Sequence, residues 1–330
     1  MKIRHLSIFV PALLLLFLGS CEDDTEKVYM DGTLTIEHSI PAYVSPGDVF
    51  TLKASGVTAP DGTAVGYYFT NPVTSVSDTT DVYTYTVPDS LGTFSLPCIA
   101  YAVESSAKYY VSSASVRMTV VSAKSVTGVN KYDKDGSAVL YSRFYATMKG
   151  GDREWIRSNL SYTVTDASGA ETFGRSFADN TRMRELFGAY YTWEEAQTAC
   201  PEGWRLPSGQ EWVAMLQEFG APDDLGPLDD SPSGAGKLMA NASFNGTVMW
   251  PYYRGVNIND ETHFSAIPAG YANAAGDKYE FSGYLSFAAF WTSDEYEGQG
   301  VYRYICKEYD KVYAGVADKK AFAASVRCVR

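Results

Sequence analysis

Between Thr33 and Val121 the chain alternates apolar and polar positions with a period of two. The stretches "GTLTIEHSI", "DVFTLKASG", "AVGYYFTN", "DVYTYTVP", "GTFSLPCIAYAV" and "YYVSSASVRMTVV" all carry it. Successive side chains of a strand point to opposite faces, so this alternation predicts half-buried β-structure. Pro46-Gly47-Asp48, Pro60-Asp61-Gly62 and Pro88-Asp89-Ser90 separate the runs as turns. Six or seven short strands predict an all-β, immunoglobulin-like sandwich over residues 31–122. Cys98 falls inside one strand, has no cysteine partner in this half, and reads as a small buried apolar residue.

The pattern changes after a link at Ser122–Thr127. "VNKYDKDGSAVLYSRF" predicts a hairpin turning at Asp133-Lys134-Asp135-Gly136. Lys131 stands where an EF-hand loop needs an oxygen ligand, which rejects calcium there. In "YYTWEEAQTACPEGWRLPSGQEWVAML" the period becomes helical. Thr192-Trp193-Glu194-Glu195 has capping-box form and starts a helix running through Cys200. Ser208-Gly209-Gln210-Glu211 starts a second, with Trp212, Met215, Leu216 and Phe219 on one face and Gly220 as its stop. Between them Pro201 and Gly203 break the chain, while Trp204, Leu206 and Pro207 supply apolar anchors.

An apolar run of another kind opens the chain. Lys2 and Arg4 precede Leu6–Leu18, which is too short to span a bilayer comfortably and reads as a signal peptide over residues 1–20. Its end, Leu18-Gly19-Ser20-Cys21, resembles a bacterial lipobox, which implies acylation of Cys21 and a membrane partner held through lipid. Residues 21–30 form a polar tether. Its Glu22-Asp23-Asp24 resembles the acidic export tag of Bacteroidetes surface lipoproteins, so the expected location is the outer face of the outer membrane.

Charge and composition narrow the function classes. The formal charge is −12, and losing Lys2 and Arg4 takes it to −14, which argues against nucleic acid as a partner. Beyond the signal peptide only His38 and His263 remain, too little for a His-dependent triad or a multi-histidine zinc site. No P-loop, G-x-G-x-x-G or G-x-S-x-G occurs, and no pair of the many carboxylates stands out for glycoside hydrolysis.

Five motifs remain: "REWIRSNLSY" (Arg153–Tyr162), "GAGKLMA" (Gly234–Ala240), "HFSAIPAGY" (His263–Tyr271), "AFWTSDE" (Ala289–Glu295) and "ASVRCVR" (Ala324–Arg330). In this order they resemble the Fibrobacter succinogenes major paralogous domain, over about residues 126–330. The resemblance implies an α+β, C-type-lectin-like domain, with two short helices packed on mixed antiparallel sheets. It also implies a disulfide between Cys200 and Cys328, from the first helix to the last strand. An exported chain meets an oxidising compartment, which favours the bond, and Cys306 is the competing thiol.

The enzymatic branch of that fold, the formylglycine-generating enzymes, uses two closely spaced C-terminal cysteines. Cys306 and Cys328 are far apart, so no enzyme is expected. The sugar lectins that work through calcium carry Glu-Pro-Asn or Gln-Pro-Asp with Trp-Asn-Asp, and none of these occurs. "NINDE" (Asn257–Glu261) offers oxygens but reads as a polar loop, and no cofactor is expected.

Recognition is then left to surface aromatics and arginine, the residues that make binding hot spots. The candidates are Trp250, Tyr252, Tyr253, Arg254, Tyr279, Tyr284 and Tyr296, with Tyr252–Arg254 foremost. The expected function is extracellular recognition of a glycan or a partner protein by a lectin-like head. The alternatives are a fimbrial or envelope-assembly component and a variable binding protein of the retroelement-diversified kind.

Overall fold

A computed structural model describes residues 26–128 and 147–330. The expected signal peptide, Cys21, the Glu22-Asp23-Asp24 tag and the Asp133–Gly136 hairpin lie outside the described residues.

Residues 31–120 build two β-sheets. One orders Asp31–Glu37, Val49–Thr58 and Val82–Thr86; the other orders Tyr43–Val44, Ser112–Val120, Gly92–Ala102, Val65–Thr70 and Ser77–Thr79. The alternation explains their packing. Leu52 and Ala54 point inward from the first sheet, and Leu96, Cys98, Val116 and Met118 from the second, into one shared core. Cys98 lies fully inside it, and burial pushes its thiol up to about 11. The six alternating stretches each contain a strand. Two short ones, Tyr43–Val44 and Ser77–Thr79, join them at the sheet edges. The turns take the backbone that glycine permits, with Gly47 at φ +84° and Gly62 at φ +79°.

The rest of the described chain is short strands around four α-helices: α1 (Thr181–Phe187), α2 (Trp193–Ala199), α3 (Gly209–Glu218) and α4 (Ala235–Leu238). The expected pair is α2 and α3, and both open on complete capping boxes, Thr192 with Glu195 and Ser208 with Glu211. Helices α1 and α4 are additional to that expected pair. In α1 Asn180 caps the start, and Met183, Leu186 and Phe187 are buried. The four-residue α4 lies within the Gly-Ala-Gly motif, its start held by Asp310, whose carboxylate accepts from Gly236 N at 2.7 Å. A Cβ on Gly236 would lie 2.3 Å from the Asn257 carbonyl, so the motif's second glycine is a packing requirement.

A five-stranded antiparallel sheet orders Arg175–Ser176, Ala189–Thr192, Phe322–Ala324, Tyr271–Ala275 and Lys278–Ser282. A three-stranded one orders Phe287–Tyr296, Gln299–Cys306 and Tyr313–Ala317. Aromatic rings fill the space between elements: Trp155, Trp212, Trp250, Phe264 and Phe290 share one core with α3.

Cys200 and Cys328 are disulfide-bonded, with Cα atoms 5.9 Å apart. Two details differ from expectation: Cys200 caps the second helix rather than the first, and Cys328 lies beyond the last strand. The terminal segment runs between two partners. Ile156 N donates to Cys328 O at 2.9 Å, and Arg205 and Val329 exchange backbone bonds of 2.9 and 2.8 Å. The Arg330 guanidinium stacks 4.6 Å over Trp204. The Cys-Pro-x-Gly-Trp turn is thus clamped to the chain end by a covalent bond, backbone pairing and a cation–π contact.

Candidate functional site

The structure separates the candidate residues. Trp250 is core, 1% exposed, and its indole donates to Ala266 O at 2.8 Å, which removes it from any binding surface. Tyr284 packs between Phe177 and Phe187, its hydroxyl buried without a hydrogen-bond partner among the described residues. Burial raises its pKa, so it too is structural. Tyr279 is half-buried, under the Arg175 guanidinium at 4.1 Å, and donates to Lys320 O at 3.0 Å. The other four are exposed. Tyr252 is 84% accessible, beside Tyr253 and Arg254 on one loop, and Tyr296 stands near a hairpin end.

The motif loops are held from within. Asp260 accepts from Ser265 N at 2.7 Å and from Ser265 Oγ at 2.6 Å, so this acid of "NINDE" is engaged by its own loop. Buried Arg327 donates to Asn159 Oδ1 at 2.8 Å and Phe264 O at 2.6 Å, stacking on Phe264 at 4.3 Å. Burial lowers its pKa to about 9, which leaves it charged at neutral pH. Arg303, also buried, donates to the Asp229 and Pro227 carbonyls at 2.6 and 2.8 Å.

A groove of about 550 Å³ opens on the other face of the strand that carries Arg303. Along Gln299–Cys306, Val301, Arg303 and Ile305 face the core, which turns Tyr302, Tyr304 and Cys306 to the opposite side. Register brings Phe287 opposite Cys306, Ala289 opposite Tyr304, and Gly315 opposite Tyr302. Small residues make the room: a Cβ on Gly315 would lie 2.7 Å from the Tyr302 ring. Tyr304 stacks between Phe287 at 4.9 Å and Tyr313 at 4.7 Å. Tyr271 and Phe322 close the wall from the five-stranded sheet, stacked at 5.3 Å, and Glu308 is the one carboxylate among the described lining residues.

Burial pushes the Tyr302 phenol up to about 12, with Tyr304 and Tyr271 adding to the shift. Burial likewise raises Tyr304. Both hydroxyls are therefore neutral donors across the physiological range. The lining offers flat apolar rings with hydroxyls at their edges, which suits a neutral, hydroxyl-bearing ligand.

None of the seven sequence candidates lines this groove, whose middle strand carries Tyr302 and Tyr304. The usable signal was the alternation in "VYRYIC", which sets the two tyrosines on one face.

The comparison with protein families agrees with these motifs. No curated protein matches the chain. The family profile of the Fibrobacter succinogenes major domain matches residues 148–330, which leaves residues 126–147 of the expected span outside it. That match takes in the cystine, the motif loops and the aromatic groove, and it covers more than half of the sequence: the chain belongs to the Fibrobacter succinogenes major domain family.

Proposed function

We propose that this protein is a surface-exposed outer-membrane lipoprotein that binds an extracellular glycan without calcium. In this reading the acylated Cys21 is the anchor and residues 31–122 are an immunoglobulin-like spacer. Residues 126–330 form a C-type-lectin-like head, and its task is binding rather than catalysis. The observation that carries the proposal is the groove lined by Tyr271, Phe287, Tyr302 and Tyr304. Pyranose rings present C–H faces that stack on aromatic rings, and their hydroxyls pair with phenol donors.

A glycan array probed with the mature chain tests it. Tyr304→Ala should weaken the retained glycan by about 0.5–1.5 kcal/mol, roughly 2- to 13-fold, with its thermal melt recorded as a folding control. The paired change Tyr252→Ala and Arg254→Ala should leave glycan affinity unchanged. If the loop pair abolishes binding and Tyr304→Ala does not, glycan recognition belongs to the exposed Tyr252–Arg254 loop; if the array retains no glycan, a protein partner becomes the better reading.

A further inference from the structure

We propose that the end of the two N-terminal sheets remote from the family domain is a membrane-contact surface, and that its partner is the interface of the bilayer holding the acyl chains of Cys21. The inference rests on the lipid-anchor reading.

The surface is built where the described chain begins. Val28 N donates to Lys108 O and Tyr110 N donates to Val28 O, both at 2.9 Å, in a short parallel bridge. The bridge sets the Tyr29 ring on that of Tyr110, centroids 4.7 Å apart. Tyr29 remains 74% accessible, and Val28, Tyr110 and Val111 are exposed beside it. The Lys27 ammonium lies 6.0 Å from the Tyr110 ring. Glu26 adjoins it in sequence, while Asp61 is paired to Lys108 at 2.6 Å. Amphipathic tyrosines, valines and a lysine make up the composition that settles at headgroup level, where rings meet lipid and their tips meet water. In water the same side chains are an apolar patch that nothing among the described residues covers.

Chain connectivity places the patch. Strand Ser112–Val120 starts next to Tyr110–Val111 and rises about 30 Å at strand spacing. Its far end meets the family domain: Val121 shares a core with Phe187, and Asn245 Nδ2 donates to Val120 O at 3.0 Å. At that same end Arg182 bonds Ser45 Oγ at 2.5 Å and Asp48 at 3.0 Å. The aromatic patch and the family domain therefore occupy opposite ends of the sheets. Seven peptide steps from Cys21 to Val28 reach at most about 25 Å, so an acyl group on Cys21 keeps the patch beside the headgroups.

Tryptophan reports the contact cleanly, because all six native tryptophans stand at position 155 or later. Tyr29→Trp would be introduced into the full chain, which is then purified from bacterial membranes and reconstituted into phosphatidylcholine vesicles containing brominated phosphatidylcholine. The added emission should be strongly quenched, and Tyr110→Ser in the same background should reduce that quenching. A Tyr252→Trp control should not be quenched. A second arm couples chain 21–330 carrying Cys306→Ser through Cys21 to a maleimide lipid; Cys98 is buried and the cystine occupies the other two sulfurs. Unquenched emission from position 29 in this coupled form overturns the membrane-contact surface. Quenching there, with a native chain that carries no acyl group, overturns the lipid-anchor reading alone.

Discussion

Trp250 and Tyr252 stand two positions apart, either side of Pro251, and meet opposite fates. The indole turns into the core and donates there to Ala266 O, sixteen residues on, whereas the phenol is left 84% accessible. Trp250→Ala should cost about 3–5 kcal/mol of stability through the cavity it leaves, read from the denaturant midpoint. Tyr252→Ala should stay within about 0.5 kcal/mol of the parent in the same titration. Nothing in "MWPYYRG" distinguishes these outcomes, since aromatic residues suit cores and binding surfaces alike.

Helices α2 and α3 were legible because their start signals are local: a hydroxyl and a carboxylate three residues apart satisfy orphan backbone donors. Glu211 shows how firmly. Burial alone would raise its carboxyl, but hydrogen bonds from Arg205, Ser208 N and Arg153 outweigh it and hold the pKa at about 2. A folded pKa below the unfolded value means that this stabilisation is fully present above about pH 4.5 and is lost as pH falls toward 2. The stability gap between the parent and Glu211→Gln should therefore be widest near neutrality and close through that window, measured as melting temperature against pH. Helices α1 and α4 escaped because seven and four residues carry too few turns to establish a period.

Over the whole molecule, the bond from Cys200 to Cys328 spans 128 residues. In the chain-entropy model a loop of that length contributes about 4–5 kcal/mol by limiting the unfolded chain. The double change Cys200→Ser and Cys328→Ser should lower the unfolding free energy by that order in denaturant titration. The Trp204 turn should keep its pairing with the terminal segment under mild conditions, because backbone bonds between Arg205 and Val329 hold it independently. Hydrogen exchange at these two amides checks this.

Local order was written along the chain. Period-two alternation marked six strands of the N-terminal sheets, capping boxes marked two helices, and ordered motifs marked the family, because each depends on residues close in sequence. Exposure was not, because burial is a property of what arrives from elsewhere. The groove takes Tyr271 and Phe322 from one sheet and Phe287, Tyr302 and Tyr304 from another, and only the packing of those sheets puts five rings around one space. Likewise the alternation in "VYRYIC" separates Tyr302 and Tyr304 from Arg303, but which side is covered was settled by the carbonyls of Pro227 and Asp229 reaching Arg303 from a distant loop.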